Sequence, residues 1–218
     1  MSRRRLWIEI ALVLGLSLGT SALYSIIGIA VRVGRDEPLS EQTATLNRAA
    51  SSVEWADFAY QILGIVQSLV PVALVLFLLY RATKPRFGAL GLDATRPVRD
   101  GVQGFGLAAL IGIPGLGVYF VGRELDLTVS VVPTALGTYW WTVPMLLLLA
   151  LRAGLVEEVI AVGYLFARLR ELAVPLWAII VAQALLRGTY HLYQGFGAFI
   201  GNIAMGLIFG AIYARTGR

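Results

Sequence analysis

The chain has 218 residues, of which 58% are hydrophobic and 14% are charged, and it contains no cysteine. This composition excludes an ordinary soluble domain, and the lack of cysteine excludes disulfides, thiol nucleophiles and thiolate metal sites. The formal net charge of +5 comes from basic residues at the ends of apolar stretches, a pattern that indicates membrane orientation rather than nucleic-acid binding. Because the apolar windows have helix length without a ten-residue alternation, we predict an all-α, polytopic transmembrane helical bundle.

Six apolar stretches are predicted to cross the membrane. In chain order they cover residues 6–31, 51–80, 101–122, 139–169, 174–191 and 198–213. The first is interpreted as one retained helix rather than a cleaved signal peptide. Ser51 and Glu54 have the spacing of a capping box at the start of the second. The fourth is too long for one upright helix, so Pro144 or Gly154 is predicted to kink or break it.

The distribution of basic residues predicts the topology. Twelve of the 18 lysines and arginines lie at one set of span ends, four lie at the other, and Arg152 and Arg187 lie inside spans. The positive-inside rule therefore places both termini in the cytoplasm, with the protein integral to the cell (inner) membrane. Seventeen of the 18 are arginine, a bias that suggests a bacterial genome rich in GC. We divide the chain into residues 1–130, with three helices, and a core at 131–218.

Two adjacent carboxylates inside the fourth stretch, Glu157 and Glu158, are the sharpest candidates for chemistry. An ionised side chain near the bilayer centre costs about 2.5–3.5 kcal/mol, so the pair requires a partner, a proton or water. The only histidine, His191, follows on the next span, and Arg187 shares its helix face four residues earlier. On a helix Glu157 and Glu158 cannot point the same way, so we expect one to face a cavity and a neighbour to hold the other.

A glutamate and a histidine are sufficient to activate a water molecule against an acyl carbon, and they could also share a metal. Two other interpretations stay open on the residue types alone. One is a buried ion pair between Arg187 and Glu158 that only orients helices, and the other is a proton relay in a small transporter. The transporter interpretation is weakened because the chain lacks two similar halves.

The chain resembles the CPBP family, the CAAX-type and bacteriocin-processing intramembrane endopeptidases, and the match is best from Gly154 to Arg218. The resemblance is carried by the paired glutamates, the Arg-Gly-Thr-Tyr-His-Leu-Tyr-Gln-Gly run that contains His191, and Gly91-Leu92-Asp93 before the third span. It implies that Glu157 activates the water, that Glu158 supports it and that His191 assists. The implied substrate is a membrane-associated peptide or protein, prenylated or bacteriocin-like, with the bilayer and no nucleic acid as the other partner.

The chain departs from the family pattern at three places. The arginine of the first motif falls on Val162, and the phenylalanine of the second motif falls on Arg187. We therefore hypothesise that Arg187 projects toward the glutamates and replaces the missing charge. The third motif, His-x-x-x-Asn or Asp on a final helix, does not occur before Arg218, so we expect either a fragment of a longer enzyme or a shortened, inactive relative that serves as a scaffold or immunity-type protein.

Two supporting residues and the ligands of a metal are also predicted. Asn202 on the sixth span could face the cavity, although a helix-to-helix hydrogen bond is its commoner use, and Tyr190 could donate a hydrogen bond in the site. A divalent metal such as zinc would have Glu157 and His191 as its ligands, which is a thin set because catalytic zinc normally has three protein ligands. Glycines four residues apart predict close helix packing, among them Gly206 and Gly210.

Overall fold

The computed structural model describes residues 2–80 and 94–217 of the chain. Its helices are α1 (Arg3–Gly15), α2 (Leu18–Val33), α3 (Glu54–Leu79), α4 (Pro97–Glu124), α5 (Thr142–Val156), α6 (Leu165–Glu171), α7 (Leu176–His191) and α8 (Phe196–Thr216). A π-helical segment, Glu157–Tyr164, joins α5 to α6. Short 3-10 turns lie at Leu39–Glu41 and Leu192–Gln194, and the strands are β1 (Thr43–Arg48) and β2 (Ser130–Ala135). Gly91-Leu92-Asp93 and four of the basic residues counted for topology, Arg81, Lys84, Arg86 and Arg218, lie outside the described residues.

The all-α prediction is confirmed, and the chain is an integral membrane protein. Within residues 2–80 and 94–217, three helices are long and apolar enough to cross a membrane by themselves: α3, α4 and α8. The bent pair of α1 and α2 supplies a fourth if it forms one span. The fourth and fifth predicted stretches are helical too, but α7 has 16 residues and is therefore about 24 Å long, so the total of six crossings stays a prediction.

The first predicted span is not one unbroken helix. α1 and α2 meet at an angle of 56° around Leu16 and Ser17. The Ser17 backbone is not helical, and its hydroxyl donates to the Val13 carbonyl over 2.6 Å. The Thr20 hydroxyl donates to the Gly15 carbonyl in the same way. Hydroxyls that bond to the preceding turn satisfy carbonyls that the break would leave exposed, which is why an apolar stretch can bend here.

The predicted capping box at Ser51 is also wrong. α3 begins at Glu54 with Val53 at its N-cap position, and the Ser51 hydroxyl accepts from the Val53 amide over 3.1 Å. Asp57, in the first turn, accepts from the Ala50 amide over 2.8 Å instead. The chain therefore enters the helix through a local turn closed by Asp57, so the spacing of Ser51 and Glu54 does not define a cap.

The fourth stretch does not break as predicted but changes its helical geometry. Residues from Thr142 to Glu171 are helical throughout. Pro144 lies in the first turn of α5, where its missing N–H removes no helical hydrogen bond. Three residues after Gly154 the helix widens into the π-helical segment, which begins at Glu157. π-helical turns of this kind often occur at functional sites.

A two-stranded parallel sheet, absent from the prediction, connects two loops at one end of the bundle. Thr43 of β1 is opposite Ser130 of β2, and the register continues to Arg48 opposite Ala135. β1 follows α2 and β2 follows α4, so the sheet ties together two connections that the charge distribution had placed on the same side. It sits beside the turn that follows α7, since the Val129 amide donates to the Gln194 carbonyl over 3.1 Å.

An ion-pair cluster around Arg168 joins α1, α3 and α6. The Arg168 guanidinium is 2.7 Å from the Glu9 carboxylate and 2.6 Å from the Glu171 carboxylate, and it donates to the Leu78 carbonyl over 2.9 Å. The Tyr164 hydroxyl donates to Glu9 over 3.1 Å. The side chains of Arg168 and Glu9 are only 7% and 11% exposed, so the charge of each depends on the other.

Removing Arg168 should therefore destabilise the bundle strongly. We expect Arg168→Met to cost about 3–5 kcal/mol, because it leaves the Glu9 carboxylate buried without its partner. The double variant Glu9→Gln with Arg168→Met should lose less. Chemical unfolding in detergent micelles measures both, with Arg170→Met, at an exposed position, as the control. Equal stability of the Arg168 and Arg170 variants would show that the cluster does not hold these helices together.

Asp126 closes the loop between α4 and β2 onto the segment before β1. Its Oδ1 atom accepts from the amide of Ser40 over 2.7 Å and from the hydroxyl of Ser40 over 2.8 Å. The backbone and side-chain hydrogen bonds from Ser40 favour the ionised carboxylate and lower the pKa of Asp126 below its ordinary value of 3.8. Since the ionised form is the bonded one, the loop contact is complete above that value and is lost as the pH falls through the lowered pKa.

Hydrogen exchange at the Ser40 amide tests this pH dependence. Protection of that amide, corrected for intrinsic exchange, should be constant at neutral pH and should fall at acid pH as Asp126 becomes protonated. Asp126→Asn keeps an oxygen acceptor of the same shape but does not titrate, so its protection should be independent of pH. A wild-type profile as flat as that of the variant would contradict the role of the carboxylate.

Candidate active site

The paired carboxylates lie at the start of the π-helical segment and converge on one arginine of α7. Arg187 Nη2 is 3.3 Å from Glu157 Oε2 and forms a second, short ion pair with Glu158 Oε1. The spacing predicts that one glutamate faces the site while a neighbour holds the other. Glu157 does face His191 and Arg187 does hold Glu158, but Arg187 also reaches Glu157. A π-helix has more residues per turn, so consecutive side chains are rotated less about its axis and both can reach one cation.

Arg187 is buried at the centre of this site. Its side chain is 1% exposed, and its guanidinium lies 5.1 Å from the centre of the Phe209 ring on α8. The hypothesis that Arg187 projects toward the glutamates is therefore confirmed in its geometry. Because a guanidinium in an apolar bundle requires a counter-charge, the carboxylates and Arg187 stabilise one another.

His191 meets Glu157 one helical turn beyond Arg187. The Nε2 atom of His191 is 3.6 Å from Glu157 Oε1, and each of the two side chains is 23% exposed. This distance exceeds that of a direct hydrogen bond and suits a water molecule that contacts both groups. The site thus brings together all three residues that were predicted to be catalytic, although Glu158 reaches it only through Arg187.

The two remaining predicted residues differ in their placement. Tyr190 is 7% exposed, its ring lies 4.8 Å from that of His191, and its buried hydroxyl lies beside the Glu157 carboxylate. Asn202 donates to the Ala198 carbonyl of its own helix over 2.9 Å and lines a cavity beside the site. Tyr190 therefore lies within the site, whereas Asn202 lies on the wall that leads to it.

The cavity occupies about 540 Å³ between α4 and α8. Small residues of α8 form part of its wall, including Gly197 and Gly201, and Thr128 and Gln194 supply polar atoms. Thr128 is 1% exposed, and its hydroxyl has no partner within the described part of the chain. Gln194 also touches His191, with its Nε2 atom 3.4 Å from His191 Nδ1. Gln194 therefore both lines the cavity and contacts the His191 imidazole.

Sequence reasoning overlooked Gln194 and Thr128. Gln194 belongs to the run that carried the family resemblance, three residues after His191, and that spacing is a signal that could have been used. Nothing in the sequence near Thr128 points to the site, because this residue comes from the loop between α4 and β2 and reaches the cavity only through the fold.

The residues of the site do not fit a metal centre. Within residues 2–80 and 94–217, no group of three or more histidine, cysteine, aspartate or glutamate side chains is arranged to hold an ion. Both carboxylates are already paired with the Arg187 guanidinium. Glu157 and His191 alone would supply two ligands, fewer than the three typical of catalytic zinc.

A helical membrane protein with a partly buried carboxylate–imidazole pair is the class that this fold and site define. Residues 139–218 match the model of one family, Rce1-like, described as type II CAAX prenyl endopeptidase Rce1-like. The matched segment contains α5 to α8, hence both glutamates, Arg187 and His191, and it confirms the resemblance inferred from the motifs. Comparisons with curated proteins and with solved structures find no match.

Replacing Arg187 tests whether its charge holds the site together. We expect Arg187→Leu to lower the free energy of unfolding by about 3 kcal/mol or more, since two carboxylates lose their shared cation. Adding Glu158→Gln to Arg187→Leu should restore part of that stability. Unfolding in micelles measures the effect, and Arg170→Leu is a matched control at an exposed position. If Arg187→Leu were as stable and as active as the wild type, the charge would have no role.

Proposed function

We propose that this protein is an intramembrane endopeptidase that cleaves peptide bonds of membrane-associated substrates with a water molecule activated by Glu157 and His191. The match to the CAAX-type endopeptidase model suggests the class of reaction. The observation that carries the proposal is the approach of Glu157 Oε1 to His191 Nε2, at 3.6 Å, on two neighbouring helices of an apolar bundle.

The reaction follows from the positions of these groups. A water molecule between Glu157 and His191 transfers one proton to the Glu157 carboxylate while its oxygen attacks the carbonyl carbon of the substrate. The carbon–nitrogen bond then breaks, and the amine leaves with the proton that Glu157 had accepted. The second hydrogen of the water remains with the new carboxyl group, so the only net reactant is water.

Other side chains of the site support these steps. Arg187 compensates the charge of both carboxylates and thereby fixes the direction of Glu157, while Glu158 completes the ion pair. The Tyr190 hydroxyl is buried beside the Glu157 carboxylate, where it can donate a hydrogen bond to that carboxylate or to the oxyanion of the tetrahedral intermediate. Because the residues do not fit a metal, no step is assigned to one.

The substrate would enter from the bilayer. α4 packs against the rest of the bundle along only part of its length, and the cavity between α4 and α8 is lined mostly by apolar side chains. A peptide that is prenylated, or apolar in the manner of a bacteriocin precursor, could place its apolar part there and its scissile bond beside Gln194. We place the protein in the inner membrane of a bacterium with its N-terminus in the cytoplasm.

Hydrolysis by the protein in liposomes tests the proposal. Three quenched fluorescent peptides serve as probes: one with a prenylated C-terminal cysteine, the same peptide without the prenyl group, and an apolar helical peptide. We expect Glu157→Gln to lower turnover of the cleaved probe by about 10²–10⁴-fold, because the amide cannot accept the proton. Glu171→Gln, which alters a carboxylate of the Arg168 cluster, should retain activity.

The same variants distinguish an enzyme from a scaffold. The shared ion pair between Arg187 and the two carboxylates could also hold helices together without chemistry, which favours a non-catalytic binding protein as the second candidate. A scaffold would cleave none of the probes, and its Glu157→Gln variant would keep its partner. Cleavage that persists in Glu157→Gln would refute the assignment of this residue as the base.

A further inference from the structure

We propose that Gln194 is a positioning residue that holds the proton of neutral His191 on Nε2, so that Glu157 and not His191 accepts the proton of the attacking water. The inference deepens the proposed function and rests on it for the reaction, although the position of the proton itself does not depend on any catalysis. It starts from the contacts of one side-chain amide.

The Gln194 amide faces two groups at once. Its Nε2 atom donates to the Tyr193 hydroxyl over 2.8 Å and lies 3.4 Å from Nδ1 of His191. An amide nitrogen carries two hydrogens and has no lone pair for a hydrogen bond, so a ring nitrogen opposite it must act as the acceptor. In a neutral imidazole the other nitrogen then carries the hydrogen. The Nε2–H of His191 therefore points toward Glu157.

The backbone around Gln194 holds this side chain in place. The Gln194 carbonyl accepts from the Val129 amide over 3.1 Å, and the Tyr193 amide donates to the Ser25 hydroxyl of α2 over 2.6 Å. Gly195 has φ 110°, and a Cβ atom there would lie 2.5 Å from the Leu127 carbonyl oxygen. Only glycine fits this conformation and this contact, so the turn after α7 is clamped between α2 and the loop before β2.

A hydrogen on Nε2 gives His191 and Glu157 different roles toward the water. An imidazole N–H can donate to the oxygen of a water but cannot accept a proton from it. Glu157 Oε1, 3.6 Å away, is then the acceptor for the proton of that water. Gln194 thus selects the base without touching the substrate bond, which is why it is a positioning residue and not a catalytic one.

His191 is the only histidine in the chain, so the position of its proton can be read directly. The full chain, labelled with ¹⁵N-histidine and carrying an affinity tag without histidine, is placed in micelles at a pH where the ring is neutral. Long-range ¹H–¹⁵N correlation should show the wild-type hydrogen on Nε2 and a hydrogen-bonded, unprotonated Nδ1. A hydrogen on Nδ1 in the wild type would overturn the proposal.

Three variants make the test specific. Gln194→Glu keeps the shape of the side chain but offers only acceptors, so it should move the hydrogen to Nδ1. Gln194→Leu removes the hydrogen-bond donor, so the Nδ1 resonance should shift to that of an unprotonated ring nitrogen that accepts no hydrogen bond from the protein. Asn202→Leu, on the same cavity wall but bonded within its own helix, should leave both ring signals unchanged. Retention of the wild-type spectrum by Gln194→Glu and Gln194→Leu, in folded protein, would refute the role of Gln194.

Hydrolysis of the cleaved fluorescent probe then separates this inference from the proposed function. If the spectra agree and no probe is cleaved, the proton is placed as proposed but the enzymatic function fails. If Glu157→Gln abolishes cleavage while the Gln194 variants leave the His191 ring signals unchanged, the function stands and the positioning role is refuted. When both hold, Gln194→Glu should lower turnover and change its pH profile, whereas Glu171→Gln, in the Arg168 cluster, should not change that profile.

Discussion

The site depends on one buried cation whose charge must be balanced inside an apolar bundle. Arg187 is 1% exposed and has carboxylates from the neighbouring helix as its counter-charges. A guanidinium buried this completely needs a counter-charge, and removing one partner of a buried ion pair is strongly destabilising because it leaves the other charge uncompensated. This mutual requirement fixes α7 against the π-helical segment and aligns His191, one turn further, with Glu157.

Close packing of α7 against α8 supports the same arrangement from the other side. A Cβ atom at Gly206 would lie 2.7 Å from the Cα atom of Ala184, and one at Gly188 would lie 2.9 Å from the Phe199 carbonyl oxygen. The prediction of close approach at Gly206 is thereby confirmed. Gln183, fully buried, donates to the Gly206 carbonyl across this interface. Small residues and one buried amide are the usual means by which helices associate where lipid provides no hydrophobic drive.

The two ends of the bundle are held by different devices. Around Arg168, an ion pair to α1 and a hydrogen bond to α3 join these helices to the end of the long helical stretch that contains the glutamates. At the other end, the parallel sheet and the clamped turn after α7 secure His191 and Gln194. The catalytic candidates therefore lie between these two anchored ends, beside the cavity between α4 and α8.

Much of the site was readable from residue types because charges in apolar stretches are costly and need an explanation. Glu157, Glu158, Arg187 and His191 were all identified for this reason. The contacts of Arg187 with the glutamates were predicted because the first motif lacks its arginine, at Val162, and the second motif has gained one. The bend at Ser17 and the π-helical turn at Glu157 were not predicted, because each depends on which carbonyls find other donors, a balance of local hydrogen bonds that apolar periodicity does not record. The parallel sheet was missed because its strands are separated by two helices.

By itself the sequence determined a helical membrane protein, the approximate positions of its apolar stretches and the identity of the groups that must be neutralised. Hydrophobicity and buried charge are properties of the residues, so they can be read in one dimension. Only the tertiary structure decided that Glu157 and Glu158 share one cation and that Gln194 faces Nδ1 of His191. Those relations depend on helix geometry and on backbone clamps from distant segments, which exist only once the chain has folded.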